Sequence, residues 1–212
     1  LLQRRRLMAD GTPECVPFYP HEFLQRQSSL GLLDFSSLPV SEATLQDFDP
    51  LERERLRQMI EHYNGDRALL QLNDQQLEGA LGFIQQEGNE RIPTVAGLLI
   101  LGRESTLRRL MPTHEVAFQV LHGTQVRVND FYRTPLLKTF ERVMEQIKAR
   151  IEEDEILMGG FRVPIPHYDV YAVRETIVNA LTHRDYTRLG TVHIRMESQE
   201  LVVSNPGGFV EG

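Results

Sequence analysis

Residues 174–186 have the sequence RETIVNALTHRDY, in which Glu175 and Asn179 stand four residues apart. The apolar residues of this segment recur with helical spacing, and side chains at positions i and i+4 of an α-helix share one face, about 40° apart. A carboxylate can orient or deprotonate a water molecule, and an amide oxygen can bind Mg²⁺. The pair is therefore a candidate general base and metal ligand for splitting a nucleotide.

The apolar side of the same helix predicts which way Glu175 and Asn179 face. On a helical wheel the apolar side chains fall within a sector of about 80°, and the polar pair falls opposite them. The apolar residues are Val170, Val173, Ile177 and Leu181. We expect this side to pack on the body of the protein and the polar pair to face water or a cleft. The alternative is an amphipathic helix whose outer face is polar by default, and the spacing alone favours that alternative.

The tripeptide His183-Arg184-Asp185 ends the predicted helix and has two interpretations. It matches the start of the protein-kinase catalytic loop, which requires Asn five residues after the Asp. Gly190 occupies that position, and the sequence contains no Asp-Phe-Gly, so we reject a kinase. The other interpretation is a polar helix end, where His183 or Arg184 compensates the C-terminal dipole.

A hairpin pattern and a glycine-containing turn follow the helix. Residues 192–196 alternate between apolar and polar, which predicts a half-buried strand, and residues 200–204 predict a returning strand after a turn at Ser198-Gln199. Asn205-Pro206-Gly207-Gly208 comes next, and Pro followed by Gly suits the inner positions of a type II turn. Glycines here also allow a nucleotide to approach the backbone. The sequence contains no P-loop or Rossmann glycine motif.

Composition limits the class of protein. The chain has 212 residues, 41% hydrophobic and 25% charged, with a net charge of −7 and a pI of about 5.5, which predicts a packed globular protein without a broad DNA-binding face. The basic run Arg4-Arg5-Arg6 is interpreted as a solvated helix end. Cys15 is the sole cysteine, so no internal disulfide can form and a reducing, cytoplasmic setting is expected. The seven histidines show no spacing typical of a zinc site. The longest apolar run, residues 95–101, is too short for a membrane span.

We predict three regions: a loop-rich tail (1–48), a small helical unit with a strand (49–125), and a helix-on-sheet unit (126–212). In the second region, Asp49-Pro50 begins a helix, another helix begins after Asn73 and includes Ile84, and residues 94–101 form a third helix or a buried strand. Three helices in a row allow a helix-turn-helix or winged-helix unit. Further elements expected are a strand at 116–121, an amphipathic helix from Thr134-Pro135 to Ile151, and extended chain at 162–166.

Taken together, these motifs resemble one bacterial family. They are P-x-x-x-V-Y-A-V-R-E-x-x-V-N-A-x-x-H-R-D-Y at 166–186, N-P-G-G at 205–208, P-T-x-A-G-L-L-x-L-G at 93–102 and G-x-P-x-C-x-P-F at 11–18. The family consists of predicted transcriptional regulators with an N-terminal Schlafen-related, AlbA-type domain, a divergent GHKL-type ATPase module and often a C-terminal winged helix. Some members are labelled helicase-like. The resemblance is strongest over 166–212 and implies an α+β fold: a helical, winged-helix-like linker unit followed by the N-terminal half of a GHKL-like α/β sandwich.

The resemblance also implies roles for individual residues. GHKL ATPases carry Glu and Asn at this spacing on their N-box helix, so Glu175 corresponds to the general base and Asn179 to the Mg²⁺ ligand. The family's glycine box begins with an Asp that recognises the adenine amino group. Asn205 stands in its place, and it can accept a hydrogen bond but lacks the charge. The remaining residues expected to bind nucleotide are Gly207, Gly208, His183, Arg184 and Asp185.

Three functions follow as hypotheses. The first is the central fragment, cut at both ends, of an ATP- and Mg-binding transcriptional regulator, which contacts DNA through flanking domains and assembles as a homo-oligomer without a membrane partner. The second is a degenerate GHKL fold that serves as a dimerisation or scaffold module without nucleotide. The third is a helicase-like, DNA-dependent ATPase, which no helicase motif supports.

Overall fold

The computed structural model describes residues 3–17, 19, 22, 26–27, 30, 33–151, 153–158, 161–197 and 200–207. The fold is mixed α+β, as the sequence predicts. Its strands are β1 (Gln3–Leu7), β2 (Pro13–Pro17), β3 (Ile84–Glu87), β4 (Glu90–Pro93), β5 (Val116–His122), β6 (Gln125–Tyr132), β7 (Glu153–Met158), β8 (Phe161–Pro166), β9 (Val192–Met196) and β10 (Leu201–Ser204). The α-helices with described bounds are α1 (Pro50–His62), α2 (Asp74–Ala80), α3 (Val95–Leu101), α4 (Glu104–Leu110), α5 (Leu136–Lys148) and α6 (Val170–Thr182).

A four-stranded sheet forms the second half of the fold. Its strand order is β10-β9-β5-β6, in which β5 and β9 are parallel and the outer pairs are antiparallel. Helices α5 and α6 bury their apolar sides against one face of this sheet, and the helical repeats in the sequence specify both contacts. The shared core contains Val116, Phe118, Phe140, Val143, Ile147, Val173, Ile177, Val192 and Ile194.

The preceding helical unit has its own core and a β-hairpin. Phe48, Leu98, Leu101 and Leu107 are almost completely buried there. Asp49 caps α1 by accepting a hydrogen bond from the Leu51 amide at 3.0 Å, as expected from its position before Pro50. Burial of these apolar side chains is the main favourable term that holds the short helices together.

Several boundaries in this unit differ from the sequence predictions. The second helix ends at Ala80, so the prediction that it includes Ile84 is wrong: Gly82 adopts a φ of 68°, and Ile84 begins β3. The hairpin β3–β4 separates α2 from α3, so the three predicted helices are not consecutive. Residues 95–101 form a helix rather than a strand, and Thr94 caps its first turn by accepting a hydrogen bond from the Gly97 amide at 3.1 Å.

The N-terminal region also differs from its prediction. Arg4–Arg6 lie in β1, which pairs with β2 across a turn containing Gly11 at a φ of 82°, so the interpretation as a helix end is wrong. The predicted boundary at 125/126 falls where β6 begins, and the sheet therefore includes β5 from the preceding region. The predicted turn at Ser198-Gln199 lies outside the described residues. No helix in the described part of the chain is long and apolar enough to cross a membrane.

Gly97 provides a direct test of the packing in the helical unit. A Cβ at this position would lie 2.2 Å from the Phe83 carbonyl oxygen, whereas a Cβ at Gly79 in α2 would meet nothing within 4 Å. We therefore expect Gly97→Ala to lower the free energy of unfolding by roughly 2–4 kcal/mol. Gly79→Ala, the matched control, should raise it by about 0.5–1 kcal/mol because alanine favours a helix. Urea denaturation measures the free energy of unfolding of both variants. An equal effect of the two substitutions would contradict the close packing of Gly97 against Phe83.

Candidate functional site

Helix α6 presents the predicted polar pair to solvent. Asp169 caps the helix by accepting a hydrogen bond from the Tyr171 amide at 2.7 Å, which fixes where it begins. Ile177, on the apolar side, is fully buried, whereas Glu175 and Asn179 are exposed. The predicted orientation of this helix is confirmed.

Glu175 and Asn179 contact each other directly. The Asn179 Nδ2 atom donates a hydrogen bond of 3.3 Å to the Glu175 Oε1 atom. This bond fixes the amide so that its nitrogen faces the carboxylate. Among the described residues nothing donates to the Asn179 Oδ1 atom, so an oxygen ligand of the type that Mg²⁺ prefers stands beside a carboxylate.

The loop that begins at Asn205 packs against the C-terminal end of α6. The Asn205 Nδ2 atom donates to the Ala180 carbonyl oxygen at 3.2 Å, and the Asp185 amide donates to the Pro206 carbonyl oxygen at 2.9 Å. Gly207 adopts a φ of 153°, and a Cβ there would lie 3.2 Å from the Asp185 amide nitrogen. Glycine thus permits the close approach of this loop. Two motifs about 20 residues apart in sequence therefore meet in space. The predicted nucleotide-binding residue Gly208 lies outside the described residues.

His183 and Asp185 occupy different environments at the end of α6. His183 is exposed, and its amide donates to the Asn179 carbonyl oxygen at 2.9 Å. The Asp185 carboxylate accepts hydrogen bonds from the Thr187 amide at 2.9 Å and hydroxyl at 2.5 Å, and it pairs with Arg188 at 3.0 Å. Asp185 therefore stabilises the turn after the helix through both of its oxygens. Contact of either side chain with a nucleotide stays a prediction.

Arg184 is buried, in contrast to its exposed neighbour His183. Its Nη2 atom donates to the carbonyl oxygens of Thr113 at 2.5 Å and Gly190 at 2.7 Å, and its guanidinium lies 4.3 Å from the centre of the Tyr186 ring. Burial lowers the pKa of Arg184 because the charged form loses hydration. Its Nε and Nη1 atoms have no hydrogen-bond partner among the described residues. The guanidinium thus ties the end of α6 to the segments that precede β5 and β9, which lie 71 and 6 residues away in sequence.

Two further residues near Arg184 have buried polar atoms: Tyr186, which ends the motif at 166–186 but has no predicted role, and His114, which belongs to no motif. Burial raises the pKa of Tyr186 to about 12, and its hydroxyl has no partner in the part of the chain that the structure describes. The ring of His114 lies 6.1 Å from the Tyr186 ring, and its Nε2 atom is 2.7 Å from the Thr134 carbonyl oxygen. Burial lowers the pKa of His114, and a neutral ring that donates from Nε2 fits this contact. No local pattern in the sequence marks His114, because the backbone that it contacts at Thr134 lies 20 residues away.

A surface depression of about 460 Å³ is lined by Arg108, Glu115, Phe131 and Arg133. None of the motif residues lines it. Within the described residues, no group of three or more His, Cys, Asp or Glu side chains is placed to hold a metal ion.

Comparison with known proteins identifies the fold but no activity. A family described as a domain of unknown function (DUF8451) matches residues 22–117, which include the helical unit and exclude α6 and the Asn205 loop. The chain matches no curated protein. The crystal structure of the DIP2311 protein from Corynebacterium diphtheriae is similar, with 22% identity and a TM-score of 0.66 over 98% of this chain and 39% of that chain. The chain thus spans about two fifths of that protein, and this likeness concerns the fold alone.

The buried Tyr186 phenol predicts a loss of stability in alkali. An exposed phenol ionises near pH 10, so between about pH 10 and 12 the unfolded chain releases the proton while the folded chain retains it. The free energy of unfolding should fall by about 2–3 kcal/mol over this window. Tyr186→Phe should remove this contribution to the alkaline fall and cost little stability at pH 7, because it removes an unpaired hydroxyl.

The matched control for this experiment is Tyr171→Phe, since Tyr171 is 74% exposed. Urea denaturation at a series of pH values measures both variants. An alkaline fall that persists in Tyr186→Phe and disappears in Tyr171→Phe would contradict the burial of the Tyr186 hydroxyl.

Proposed function

We propose that the chain is the central part of an ATP-responsive transcriptional regulator in which α6 and the loop at Asn205 form part of a GHKL-type nucleotide site. The observation that carries this proposal is the contact between the loop and the end of α6, through Asn205 to Ala180 and Asp185 to Pro206. Two separate motifs of the family that the sequence resembles thereby share one surface. The helix-on-sheet arrangement of α5, α6 and the four-stranded sheet supports a GHKL-like module.

Glu175 and Asn179 have the chemistry that this site requires. The Asn179 Oδ1 atom would hold Mg²⁺, which neutralises phosphate charge when it is bound. Glu175 would orient the attacking water and accept its proton, and the hydrogen bond from Asn179 keeps the carboxylate next to the metal ligand. The buried side of α6 stabilises the helix against the sheet, so the polar pair is held on a rigid element.

Asn205 would bind the adenine ring. Its Nδ2 atom is engaged by the Ala180 carbonyl oxygen, which leaves the Oδ1 atom to accept a hydrogen bond from the adenine amino group. A neutral acceptor forms a weaker bond than the charged Asp of the family pattern. We therefore expect modest selectivity for adenine over guanine.

Arg184 offers a physical route from this site to the rest of the protein. Its neighbour Asp185 contacts Pro206 of the loop, and the Arg184 guanidinium contacts the Thr113 carbonyl oxygen, just after α4. Nucleotide at the loop would shift the end of α6 and, through Arg184, the helical unit. The winged-helix-like helical unit would act as the linker that repositions flanking DNA-binding domains in a bacterial, cytoplasmic homo-oligomer.

A specific observation favours the second candidate, a scaffold or dimerisation module. Tyr171 is 74% exposed and Val178 is 37% exposed on the same side of α6 as the polar pair. Exposed apolar side chains are enriched at protein interfaces. If no nucleotide binds, this surface of α6 is the first place to look for a partner subunit.

Calorimetric titration of Mg-ATP into the intact protein that carries this chain tests the proposal. We expect binding that depends on Mg²⁺. Asn179→Ala should abolish the Mg²⁺-dependent part, and Glu175→Ala should retain binding but lower turnover by roughly 10²–10⁴-fold. Glu145→Ala on α5, also an exposed helical glutamate, is the matched control and should change neither property.

Three results would count against the proposal. Absence of heat at millimolar nucleotide would favour the scaffold. An equal loss of turnover in Glu145→Ala and Glu175→Ala would show that Glu175 is not the general base. DNA affinity that is identical with and without nucleotide would show that the site does not regulate DNA binding.

A further inference from the structure

The depression between α4 and the start of β5 has a composition suited to a nucleotide unit. Its four lining residues are two arginines, one carboxylate and one aromatic ring: Arg108, Arg133, Glu115 and Phe131. Its volume of about 460 Å³ lies within the range of small-ligand sites. Guanidinium groups bind phosphate, and an exposed aromatic ring stacks on nucleobases of any sequence.

The two arginines of the depression differ in whether a carboxylate neutralises their charge. Glu115 accepts hydrogen bonds from Arg133 at 2.8 and 2.6 Å and from the Thr191 hydroxyl at 2.8 Å. Burial opposes ionisation of this carboxyl, but the hydrogen bonds from Thr191 and Arg133 outweigh it and lower the pKa of Glu115. Glu115 is therefore ionised at neutral pH and neutralises Arg133.

Arg108 carries the positive charge that the depression does not neutralise. It lies near the C-terminal end of α4 and is exposed, and no hydrogen bond or ion pair to another described residue engages it. Arg109, the next residue, differs because its guanidinium lies 3.7 Å from the Asp47 carboxylate. Arg108 thus retains its full capacity to bind a phosphate.

Phe131 provides the apolar surface. It is 54% exposed although it lies in β6 and pairs with Ala117 of β5, so its ring stands on the face of the sheet opposite the core formed by Val116 and Phe118. An apolar ring held on a strand is a rigid stacking surface. The ring and the free guanidinium line the same depression.

We propose that this depression binds one nucleotide unit, with its base stacked on Phe131 and its phosphate on Arg108. Arg133, held by Glu115, would form the other wall, and the remaining acceptor capacity of Glu115 would face base or sugar hydrogen-bond donors. Such a unit comes either from a free nucleotide or from a single nucleic-acid strand. This inference does not depend on nucleotide binding at α6.

Two fluorescence anisotropy experiments on the intact protein test the site. Both use EDTA to eliminate Mg²⁺-dependent binding at α6. The first measures the affinity of the protein for a labelled oligothymidylate. The second measures how thymidine monophosphate displaces that oligonucleotide. The Asn179→Ala variant should bind the oligonucleotide as the natural chain does, which separates this site from the one proposed at Glu175.

The expected result is a distinct effect of each lining residue. Arg108→Gln should weaken oligonucleotide binding about fivefold at 0.1 M salt and reduce the salt dependence of log K by roughly 0.7, the value of one single-strand phosphate contact. Phe131→Leu should weaken binding roughly tenfold without changing the salt dependence, because it removes stacking alone. Phe131→Tyr should retain binding, and Arg109→Gln, which makes the same charge change outside the depression, should alter the affinity less than about twofold.

The two arms distinguish the source of the nucleotide. Displacement by thymidine monophosphate with the same variant dependence identifies a free nucleotide as sufficient. Binding of the oligonucleotide alone, again weakened by Arg108→Gln and Phe131→Leu, identifies a strand, and either result supports the site. Oligonucleotide binding that neither variant weakens lies elsewhere in the protein and overturns the proposal. The proposal is overturned if neither probe binds at millimolar concentration. It is also overturned if Arg108→Gln and Arg109→Gln weaken binding equally while Phe131→Leu changes nothing.

Discussion

The buried Arg184 guanidinium links the end of α6 to the two parallel strands of the sheet. Arg184 lies just after α6, and its guanidinium donates hydrogen bonds to the carbonyl oxygens of Thr113 and Gly190, which precede β5 and β9. A buried charge is costly unless hydrogen bonds or aromatic contacts compensate it, so its position is strongly specified. The two parallel strands of the sheet therefore start from segments that are fixed to the helix bearing Glu175 and Asn179.

This constraint places both candidate sites on the same framework. Asp185, next to Arg184, contacts the loop at Asn205, and Thr191, next to Gly190, contacts Glu115 in the depression. A shift of Arg184 would therefore affect the candidate site on α6 and the wall of the depression together. We expect the two to be coupled, because hydrogen bonds and the peptide bonds of neighbouring residues connect them without a gap.

The sequence predicts elements whose apolar residues follow one period and end at a clear signal. The helix with Glu175 and Asn179 faces as its wheel indicates, and the start of α1 at Asp49 is confirmed. The sequence pattern did not predict the hairpin β3–β4, because a four-residue strand is too short to show a clear alternation of apolar and polar residues. Ile84 also fits a helical repeat equally well. The environment of Arg184 was also unpredictable, because the carbonyl of Thr113, which it contacts, lies 71 residues away in sequence.

A crystal structure of the intact protein with Mg²⁺ and a non-hydrolysable ATP analogue would show whether α6 binds nucleotide. We expect a metal ion about 2.1 Å from the Asn179 Oδ1 atom and an adenine ring beside Asn205. Nucleotide bound away from α6, or a metal ion that does not contact Asn179, would rule out the proposed site.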